Sequence, residues 1–225
     1  MGIINLHIRK INQLLHEHFE ADVEKKIAII GFPDLHQNVP LLEELFGQAL
    51  VQRSKVNGTA QLIELLNMKF NARCTVFDIH KHRGIETVLN LNEPLPIEFN
   101  NQFDFVIDSS CLEHCFNIAQ AFKNLCEFVK VGGIVTTVAP VYDFNHGYFN
   151  VNPLFHEDGF RLNGFEILSQ NVIDNVGDIV KDFGAKTHPR KTYILSTAKK
   201  NKECIFEYPI QTSKPKNKKY DESKQ

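Results

Sequence analysis

Residues 103–140 read FDFVIDSSCLEHCFNIAQAFKNLCEFVKVGGIVTTVAP and decide the fold. Two strongly apolar runs, 103–110 and 134–140, are short enough to be strands that are buried on both faces. Between them, residues 117–130 have the apolar spacing of a helix, and the glycine pair at 132–133 is expected to stop it. A strand, a helix and a second strand in this order indicate two parallel strands joined by a helical crossover.

Similar patterns lie on both sides of this unit. Further short apolar runs predict strands at 25–31, 74–79, 86–91, 165–173 and 191–199. Apolar positions at helical spacing predict helices at 8–26 and 39–52, and a third helix that Thr59 caps. The alternation predicts an α/β, Rossmann-like fold, with a mostly parallel central sheet of about seven strands and helices on both faces. The late strand pair would make the sheet mixed.

The chain divides into three segments. Residues 1–24 are expected to form an N-terminal helical extension and 25–210 a Rossmann-like domain. Residues 211–225 are polar and Lys-rich, with too little apolar surface to fold, so we expect a disordered tail. A chain of 225 residues is long enough to bury a core without disulfides or a metal.

Composition narrows the choice of partners. The 25 Lys and Arg residues nearly balance the 27 Asp and Glu residues, so no positive field indicates a nucleic acid. No apolar run is as long as a membrane span and no signal pattern is present, which predicts a cytoplasmic protein without a membrane partner. The five cysteines include no Cys-x-x-Cys pair and are expected to be reduced. A small-molecule substrate is favoured by elimination, and a homo-oligomer is compatible with the sequence.

Ligands of an open parallel sheet bind beyond the carboxyl ends of its strands, near the point where the strand order reverses. The residues that follow each predicted strand are therefore candidates for ligand contact. They lie at 31–35, 78–82, 90–92, 108–110 and 140–143.

Residues 103–133, with a Phe-Asp strand, a Leu-Glu-His turn and a Gly-Gly pair, resemble the second half of the class I S-adenosylmethionine-dependent methyltransferase core. Two further segments, ETVLNLNEPLP at 86–96 and NHGYFNVNP at 145–153, are similar to a bacterial subset of methyltransferase-like proteins associated with saccharide biosynthesis. The similarity of pattern extends over residues 25–200. It implies a Rossmann-like methyltransferase domain.

The resemblance implies S-adenosylmethionine as the cofactor and places its parts along the strand ends. Asp78, after the second strand, would bind the ribose hydroxyls through its carboxylate. Asn90 and Leu91, after the third strand, would lie beside the adenine, and Ser109 and Ser110 would lie near the methionine part. The residues alone leave two alternatives open: Asp78 could belong to a solvated turn, and the two serines could simply begin a turn.

The loop after the first strand departs from the family pattern. The family has a Gly-x-Gly-x-Gly type of loop here, because glycines let the backbone approach the cofactor closely. This chain reads IIGFPDLHQN, with Gly31 as its one glycine and with Phe32 and Pro33 filling space. Gly31 and Phe32 are predicted to contact the cofactor. The alternative is a domain that has lost the cofactor site and keeps the scaffold.

Two histidines are the candidate catalytic residues, His114 and His146. A histidine ionises at a pKa of about 6.5, which suits a general base for a hydroxyl substrate. His114 could instead hold its turn through a backbone hydrogen bond. A metal site is not predicted, since the pair His80 and His82 reads as solvated and the turn from Cys111 to Cys115 as packed.

The segment YDFNHGYFN, residues 142–150, is rich in groups that can bind a sugar. Aromatic rings stack on the apolar faces of sugars, while carboxylates and amides bind their hydroxyls. The predicted substrate contacts are Tyr142, Asp143, His146 and Tyr148. A loop that folds back over the sheet would have the same composition.

The main hypothesis is therefore an S-adenosylmethionine-dependent methyltransferase that acts on a small molecule such as a saccharide or nucleotide-sugar intermediate. The competing hypothesis is a catalytically degenerate, methyltransferase-like domain that serves as a binding or scaffolding module. A nicotinamide-dependent oxidoreductase is disfavoured, because the glycines that would cradle a pyrophosphate are missing.

Overall fold

The computed structural model describes residues 2–20, 23–35, 39–56, 59–174, 178–180 and 191–210; the tail predicted at 211–225 lies outside these ranges. A seven-stranded sheet forms the centre of the molecule. In chain order its strands are β1 (Lys25–Ile30), β2 (Ala72–Asp78), β3 (Thr87–Val88), β4 (Phe103–Ser109), β5 (Val129–Tyr142), β6 (Phe165–Asp174) and β7 (Thr192–Lys200). Two pairs of two-residue strands lie outside the sheet: Gly2–Ile3 with Asp34–Leu35, and Lys55–Val56 with Thr59–Ala60.

The strands are arranged in the order β3-β2-β1-β4-β5-β7-β6. From β3 to β5 all neighbours are parallel, whereas β7 runs antiparallel between β5 and β6. This arrangement confirms the predicted α/β, Rossmann-like fold and the late antiparallel pair. The strand order reverses between β1 and β4, so a ligand crevice is expected beyond the carboxyl ends of these two strands.

Helices cover both faces of the sheet. They are α1 (Asn5–His18), α2 (Val39–Phe46), α3 (Gln48–Arg53), α4 (Leu62–Phe70), α5 (Ile118–Phe128) and α6 (Pro153–Leu162). Helices α1 to α4 pack on one face in a first core that includes Ile29 and Ile107. Helices α5 and α6 pack on the other face in a second core that includes Ile30 and Val106. None of the described helices is both long and apolar enough to cross a membrane.

Several element bounds differ from the prediction for local reasons. The predicted helix at 39–52 is two helices, because the chain turns at Gly47 with a φ of +85°. Helix α1 begins earlier and ends earlier than the predicted range of 8–26. Thr59 does not cap α4, since it lies in a short strand and Gln61 precedes the helix. Strand β3 is reduced to two residues.

The glycine pair at 132–133 does not stop α5, which corrects the prediction. The helix ends at Phe128, and Val129 pairs directly with Phe103 on β4. The two glycines lie within β5, where the register with β4 is irregular, and a Cβ atom on Gly133 would approach a backbone oxygen to 2.8 Å.

Lys200 on β7 caps the end of α5 instead. Its ammonium donates to the carbonyl oxygens of Cys126 (3.2 Å) and Val129 (3.0 Å), and to Asn101 Oδ1 (2.7 Å). A buried cation at this point satisfies carbonyls that have no partner within the helix. The residue that ends α5 in space therefore lies about 70 positions further along the chain than Cys126.

A buried histidine joins α1 to the sheet. His7 Nδ1 lies 3.2 Å from the Ser109 hydroxyl on β4, and His7 Nε2 lies 3.2 Å from the Thr136 hydroxyl on β5. Burial lowers the pKa of His7 to about 3, so the ring is neutral at pH 7, with one nitrogen as donor and the other as acceptor. Both hydroxyls are thereby satisfied beneath the helix.

Candidate active site at the carboxyl edge of the sheet

The turn after β4 is held by a buried carboxyl group. Asp108 accepts a hydrogen bond from the Cys111 amide (3.0 Å) and one from the Thr137 hydroxyl on β5 (2.6 Å). Burial raises the pKa of Asp108 to about 6, against the opposing effect of the Thr137 hydrogen bond. Ser110 then turns the chain with a φ of +74°, a left-handed conformation that is uncommon outside glycine.

Glu113 lies in this turn with no exposed side-chain surface. Its Oε1 accepts a hydrogen bond from the Ser110 hydroxyl and lies 3.2 Å from His146 Nε2. Its Oε2 has no hydrogen-bond partner among the described residues. Burial raises the pKa of Glu113 to about 8, and the nearby Asp108 carboxyl adds to the rise. A buried carboxyl with an unsatisfied oxygen marks a candidate functional site.

His146 joins the segment after β5 to this turn. Its Nε2 lies 3.3 Å from the Ser110 hydroxyl, and its Nδ1 lies 3.5 Å from Asp143 Oδ2. Asp143 is buried, and the same oxygen accepts a hydrogen bond from the Tyr193 hydroxyl (2.5 Å). The other oxygen pairs with the Lys191 ammonium (3.2 Å).

Strand β7 supplies these last two groups because it runs antiparallel to β5. Its first residues therefore lie at the carboxyl edge, where Thr192 pairs with Tyr142. Burial acts to raise the pKa of Asp143, but the hydrogen bonds from Tyr193 and Lys191 outweigh it and the pKa is lowered overall. Asp143 is consequently ionised at neutral pH, next to His146.

Backbone contacts hold the segment after β5 against Glu113. The Tyr148 amide donates to the Glu113 carbonyl oxygen (2.8 Å). A Cβ atom on Gly147 would lie 2.8 Å from Glu113 Cγ. The two segments of the chain therefore approach as closely as glycine permits. The Asp143 amide donates to Asn150 Oδ1 (2.9 Å). The segment therefore folds back onto the turn after β4.

Five side chains thus form one polar group, which we call the edge cluster: Ser110, Glu113, His114, Asp143 and His146. The ring of His114 lies 5.2 Å from that of His146, and its Nε2 lies 3.9 Å from Glu113 Oε1. Burial lowers the pKa of His114, and His146 adds to this effect. The His114 amide also holds the turn through the Cys111 carbonyl oxygen (3.1 Å), while the ring stays partly exposed.

The predicted ribose ligand, Asp78, ends β2 and is half-buried. One oxygen accepts a hydrogen bond from the Phe32 amide and the other from the His80 amide, each at 3.3 Å. Gly31 makes the turn after β1 with a φ of +74°, and its amide donates to the Phe77 carbonyl oxygen (2.7 Å). The Asp78 carboxylate and the turn at Gly31 therefore lie next to each other.

Arg83 spans the loops after β1 and β2. Its guanidinium lies 3.8 Å from the centroid of the Phe32 ring, and its Nη2 donates to both carboxylate oxygens of Asp34 at 2.8 and 3.0 Å. The Phe32 ring itself is buried in the first core. The bulky Phe32 side chain is thus packed inward, and Arg83 covers its outer face.

The two residues predicted to contact the adenine, Asn90 and Leu91, differ in exposure. The Asn90 side chain is exposed, and its oxygen accepts hydrogen bonds from the amide and side chain of Asn92 at 3.1 and 2.9 Å. The Leu91 side chain packs into the second core. Asn92 in turn accepts from the Asn117 amide at the start of α5 (2.8 Å). Of the two predicted residues, only Asn90 therefore has an exposed side chain, and the Leu91 carbonyl oxygen already accepts from the Asn124 side chain (3.0 Å).

The two predicted serines point to opposite sides of the sheet end. Ser109 is buried beneath α1 and bonded to His7, whereas Ser110 belongs to the edge cluster. Of the predicted substrate residues, Asp143 and His146 lie in the cluster. Tyr142 and Tyr148 are exposed beside it, and Phe116 packs edge-to-face against Tyr148 with the ring centroids 5.6 Å apart.

The sequence does not predict those residues of the site that lie outside the segments following the carboxyl ends of the predicted strands. Tyr193 and Lys191 reach the cluster because β7 is antiparallel, and Arg83 reaches the first loop across β2. Glu113 belongs to the Leu-Glu-His turn of the sequence pattern, but the sequence alone does not predict it as a site residue. Its neighbours in space could not be read from its neighbours in sequence.

No protein-family model and no curated protein sequence matches this chain. Among solved structures, the CurJ carbon methyltransferase matches with a TM-score of 0.53 at 11% identity, over 88% of this chain and 54% of that chain. The CMeT domain of the citrinin polyketide synthase matches with a TM-score of 0.52 at 11% identity, over 86% and 51%. A Bacillus halodurans protein proposed to be a methyltransferase matches with a TM-score of 0.51 at 11% identity, over 86% and 100%. The chain has the Rossmann-like methyltransferase fold.

Proposed function

We propose that this protein is an S-adenosylmethionine-dependent methyltransferase that acts on a hydroxyl group of a small molecule, in particular a saccharide or nucleotide-sugar intermediate. One observation carries the proposal. The Asp78 carboxylate and the edge cluster lie at the same edge of the sheet, on opposite sides of the reversal between β1 and β4. This placement suits a cofactor on one side of the crevice and an acceptor on the other.

The residues present fit the adenosine end of the cofactor. A carboxylate has about four acceptor positions, and the two amide contacts of Asp78 use only part of this capacity. Two vicinal ribose hydroxyls could therefore bind Asp78 together. The inward packing of Phe32 keeps its ring out of the solvent-facing side of the loop. When bound, S-adenosylmethionine supplies an electrophilic methyl group on a sulfonium centre.

The edge cluster fits a hydroxylated acceptor. Its carboxyl and imidazole groups can orient a hydroxyl and hold or release its proton, which aligns the nucleophile for displacement. An ionised Asp143 orients the His146 ring, and the partly exposed rings of both histidines face the opening of the site. The predicted catalytic roles of His114 and His146 remain part of this proposal.

Exposed aromatic rings beside the cluster support a saccharide as the acceptor. Tyr142, Phe144, Tyr148 and Phe116 are all exposed, although large aromatic side chains are usually buried. Rings in this setting can stack on the apolar face of a sugar while the cluster binds its hydroxyls. Tyr142 and Tyr148 were predicted to do so, and Phe116 and Phe144 extend the same surface.

A second candidate, a binding domain without methyl transfer, is favoured by Arg83. Its ion pair with Asp34 and its contact with Phe32 form a clasp between the loop after β1 and the loop after β2, which would bind the ribose. In this alternative the clasp is a permanent replacement for the cofactor. In the main proposal the cofactor binds beside it.

Calorimetric titration with S-adenosylmethionine and S-adenosylhomocysteine tests the proposal. We expect micromolar binding of both compounds by the full chain, and a loss of at least about tenfold in Asp78→Asn, because the amide cannot accept from two hydroxyls as a carboxylate does. Glu98→Gln, at an exposed carboxylate in the segment that precedes β4, is the matched control and should bind normally. A folded protein that binds neither compound would overturn the methyltransferase proposal and support the binding domain.

Transfer itself is measured with cofactor carrying a labelled methyl group and a panel of sugar nucleotides. Label in a sugar hydroxyl, lost in Tyr148→Ala with cofactor affinity unchanged, supports the saccharide assignment. Label only in acceptors without a sugar would contradict that assignment while leaving the methyltransferase proposal intact.

A further inference from the structure

Three side chains of the edge cluster bring potential metal ligands together. One oxygen of Glu113, one nitrogen of His114 and one nitrogen of His146 all lie within 4.8 Å of one another. Protein ligands bind zinc at about 2.0–2.2 Å, so two ligands of one ion lie about 3–3.6 Å apart. The 3.2 Å between His146 Nε2 and Glu113 Oε1 already meets this requirement, and the 3.9 Å to His114 Nε2 nearly does.

The hydrogen-bond roles in the cluster are compatible with a cation between these atoms. Asp143 Oδ2 lies 3.5 Å from His146 Nδ1, and an ionised carboxylate here favours the neutral tautomer with the proton on Nδ1 and a lone pair on Nε2. This lone pair faces Glu113 Oε1, also an acceptor, at 3.2 Å. The Ser110 hydroxyl lies near both atoms but has one proton, which Glu113 receives. Two facing acceptors are stabilised by a cation between them, and either a proton or a metal ion can take this position.

The surroundings of the three side chains match those of metal ligands. A metal-binding histidine usually donates its second ring N–H to a carboxylate, which fixes the ring. His146 has Asp143 in this position, and Tyr193 and Lys191 fix Asp143 in turn. The Glu113 carboxyl group is fully buried, and its other oxygen, Oε2, has no partner among the described residues, so a cation bound at this carboxylate would offset the cost of burying its charge.

We propose that Glu113, His114 and His146 bind a divalent transition-metal ion. Two imidazoles and one carboxylate suit Zn²⁺, Fe²⁺, Co²⁺ or Mn²⁺ better than Mg²⁺ or Ca²⁺, which prefer oxygen ligands. Three protein ligands leave positions for water or substrate. The histidine side chains are 41% and 31% exposed, so these positions face the solvent side of the cluster.

The role of the ion rests on the proposed function, whereas its binding does not. A metal-bound hydroxyl oxygen of the acceptor would lose its proton to water more readily, because the ion stabilises the alkoxide. The alkoxide oxygen then forms its bond to the methyl carbon as the bond from carbon to sulfur breaks. In this assignment His114 and His146 act as ligands, and neither is the general base that the sequence predicted.

Cobalt titration of the untagged full chain, first freed of metal with a chelator, tests the site. We expect one Co²⁺ ion per chain, with visible absorbance typical of nitrogen and oxygen ligands and micromolar affinity, and competition by Zn²⁺ but not by millimolar Mg²⁺. His114→Ala and His146→Asn should each weaken binding at least about tenfold, through the loss of a ligand. His114 is partly exposed, so its variant should fold even if a Glu113→Gln variant does not.

The matched control is the double variant His80→Asn and His82→Asn. These two rings are 5.3 Å apart, nearly as close as His114 and His146, but both are exposed and lack a buried carboxylate. Unchanged Co²⁺ binding in this control supports the proposed site. Absence of binding in the wild type, or binding that persists in His114→Ala and disappears in the control, would overturn it.

Measuring Co²⁺ binding and S-adenosylmethionine binding on the same wild-type protein separates the metal-site inference from the proposed function. If the wild-type protein binds Co²⁺ at the edge cluster but does not bind S-adenosylmethionine, the metal site is supported and the methyltransferase proposal is refuted. A chain that binds S-adenosylmethionine but not Co²⁺ refutes only the metal site.

Discussion

Asp143 Oδ2 lies 3.5 Å from His146 Nδ1 and only 2.5 Å from the Tyr193 hydroxyl. A residue on an antiparallel strand thus fixes the carboxylate that orients a histidine after a parallel strand. The position of the His146 ring consequently depends on a side chain 47 positions away in the sequence, which it does not bind directly.

Replacing Tyr193 by Phe should weaken Co²⁺ binding at the edge cluster about tenfold, because Asp143 loses a hydrogen bond and holds the ring less firmly. The variant should fold normally, since only a hydroxyl is removed. Tyr142→Phe removes a hydroxyl from an exposed tyrosine at the same edge and should bind Co²⁺ as the wild type does. Equal affinities in both variants would show that Tyr193 does not position the ring.

Gly147→Ala should separate the segment after β5 from the turn after β4. The added Cβ would lie 2.8 Å from Glu113 Cγ and 2.9 Å from the Glu113 carbonyl oxygen, so either the segment after β5 or the turn after β4 must move. We expect a loss of about 1–3 kcal/mol in the free energy of unfolding and a loss of Co²⁺ binding.

Gly132→Ala is the control for Gly147→Ala. Gly132 has a φ of +84° and open space around its Cα atom, so alanine there adds strain of about 1–2 kcal/mol without a clash. Co²⁺ affinity should be unchanged in this variant. If both variants lose Co²⁺ binding equally, the effect comes from general instability and not from the contact with Glu113.

Buried His7 should make the protein less stable in acid. Its pKa is lowered to about 3 when folded and is about 6.5 when unfolded, so below pH 6.5 the unfolded chain binds a proton that the folded chain does not. Stability from this group is therefore complete above pH 6.5 and is lost progressively as the pH falls toward 3. Between pH 7 and pH 5 the loss is about 2 kcal/mol.

Urea unfolding of His7→Gln at pH 7 and pH 5 checks this prediction. The difference between the two pH values should be smaller than in the wild type by about 2 kcal/mol. Buried His156 has a pKa lowered in the same way, and Asp108 has a raised pKa with the opposite effect, but both are common to the two proteins. An identical pH dependence in the two proteins would contradict the assigned state of His7.

Lys200→Met should destabilise the protein by about 2–4 kcal/mol, measured by urea unfolding. The methionine fills similar space but leaves the Cys126 and Val129 carbonyl oxygens and Asn101 Oδ1 without their donor. Lys199→Met, at the neighbouring and more exposed lysine, should change stability by less than about 0.5 kcal/mol. Similar losses in both variants would exclude a specific capping role for Lys200.

The sheet could be predicted from the sequence because its strands are buried on both faces. Such strands appear as short apolar runs, and β1, β4 and β5 all do so. The glycine pair at 132–133 misled the prediction, since glycine also occurs at irregular points of a strand. The true cap of α5, Lys200, cannot be recognised locally, because it belongs to another strand.

Most residues of the candidate site could be selected from the sequence, but their contacts could not. Asp78, Ser110 and Asp143 could be selected because parallel strands bring their carboxyl ends to one edge. The contact between Glu113 and His146 depends on how the segment after β5 folds back, which Gly147 permits but does not reveal in the sequence.

His7 forms its two hydrogen bonds with residues that follow it by 102 and 129 positions. Helix α1 therefore cannot reach its final hydrogen bonding until β4 and β5 are both in place, although its apolar residues Ile8 and Leu15 share a core with β1 and α2, which are much closer in the sequence. Closing such distant contacts costs chain entropy, so the seat of His7 is completed by tertiary assembly and not by local folding.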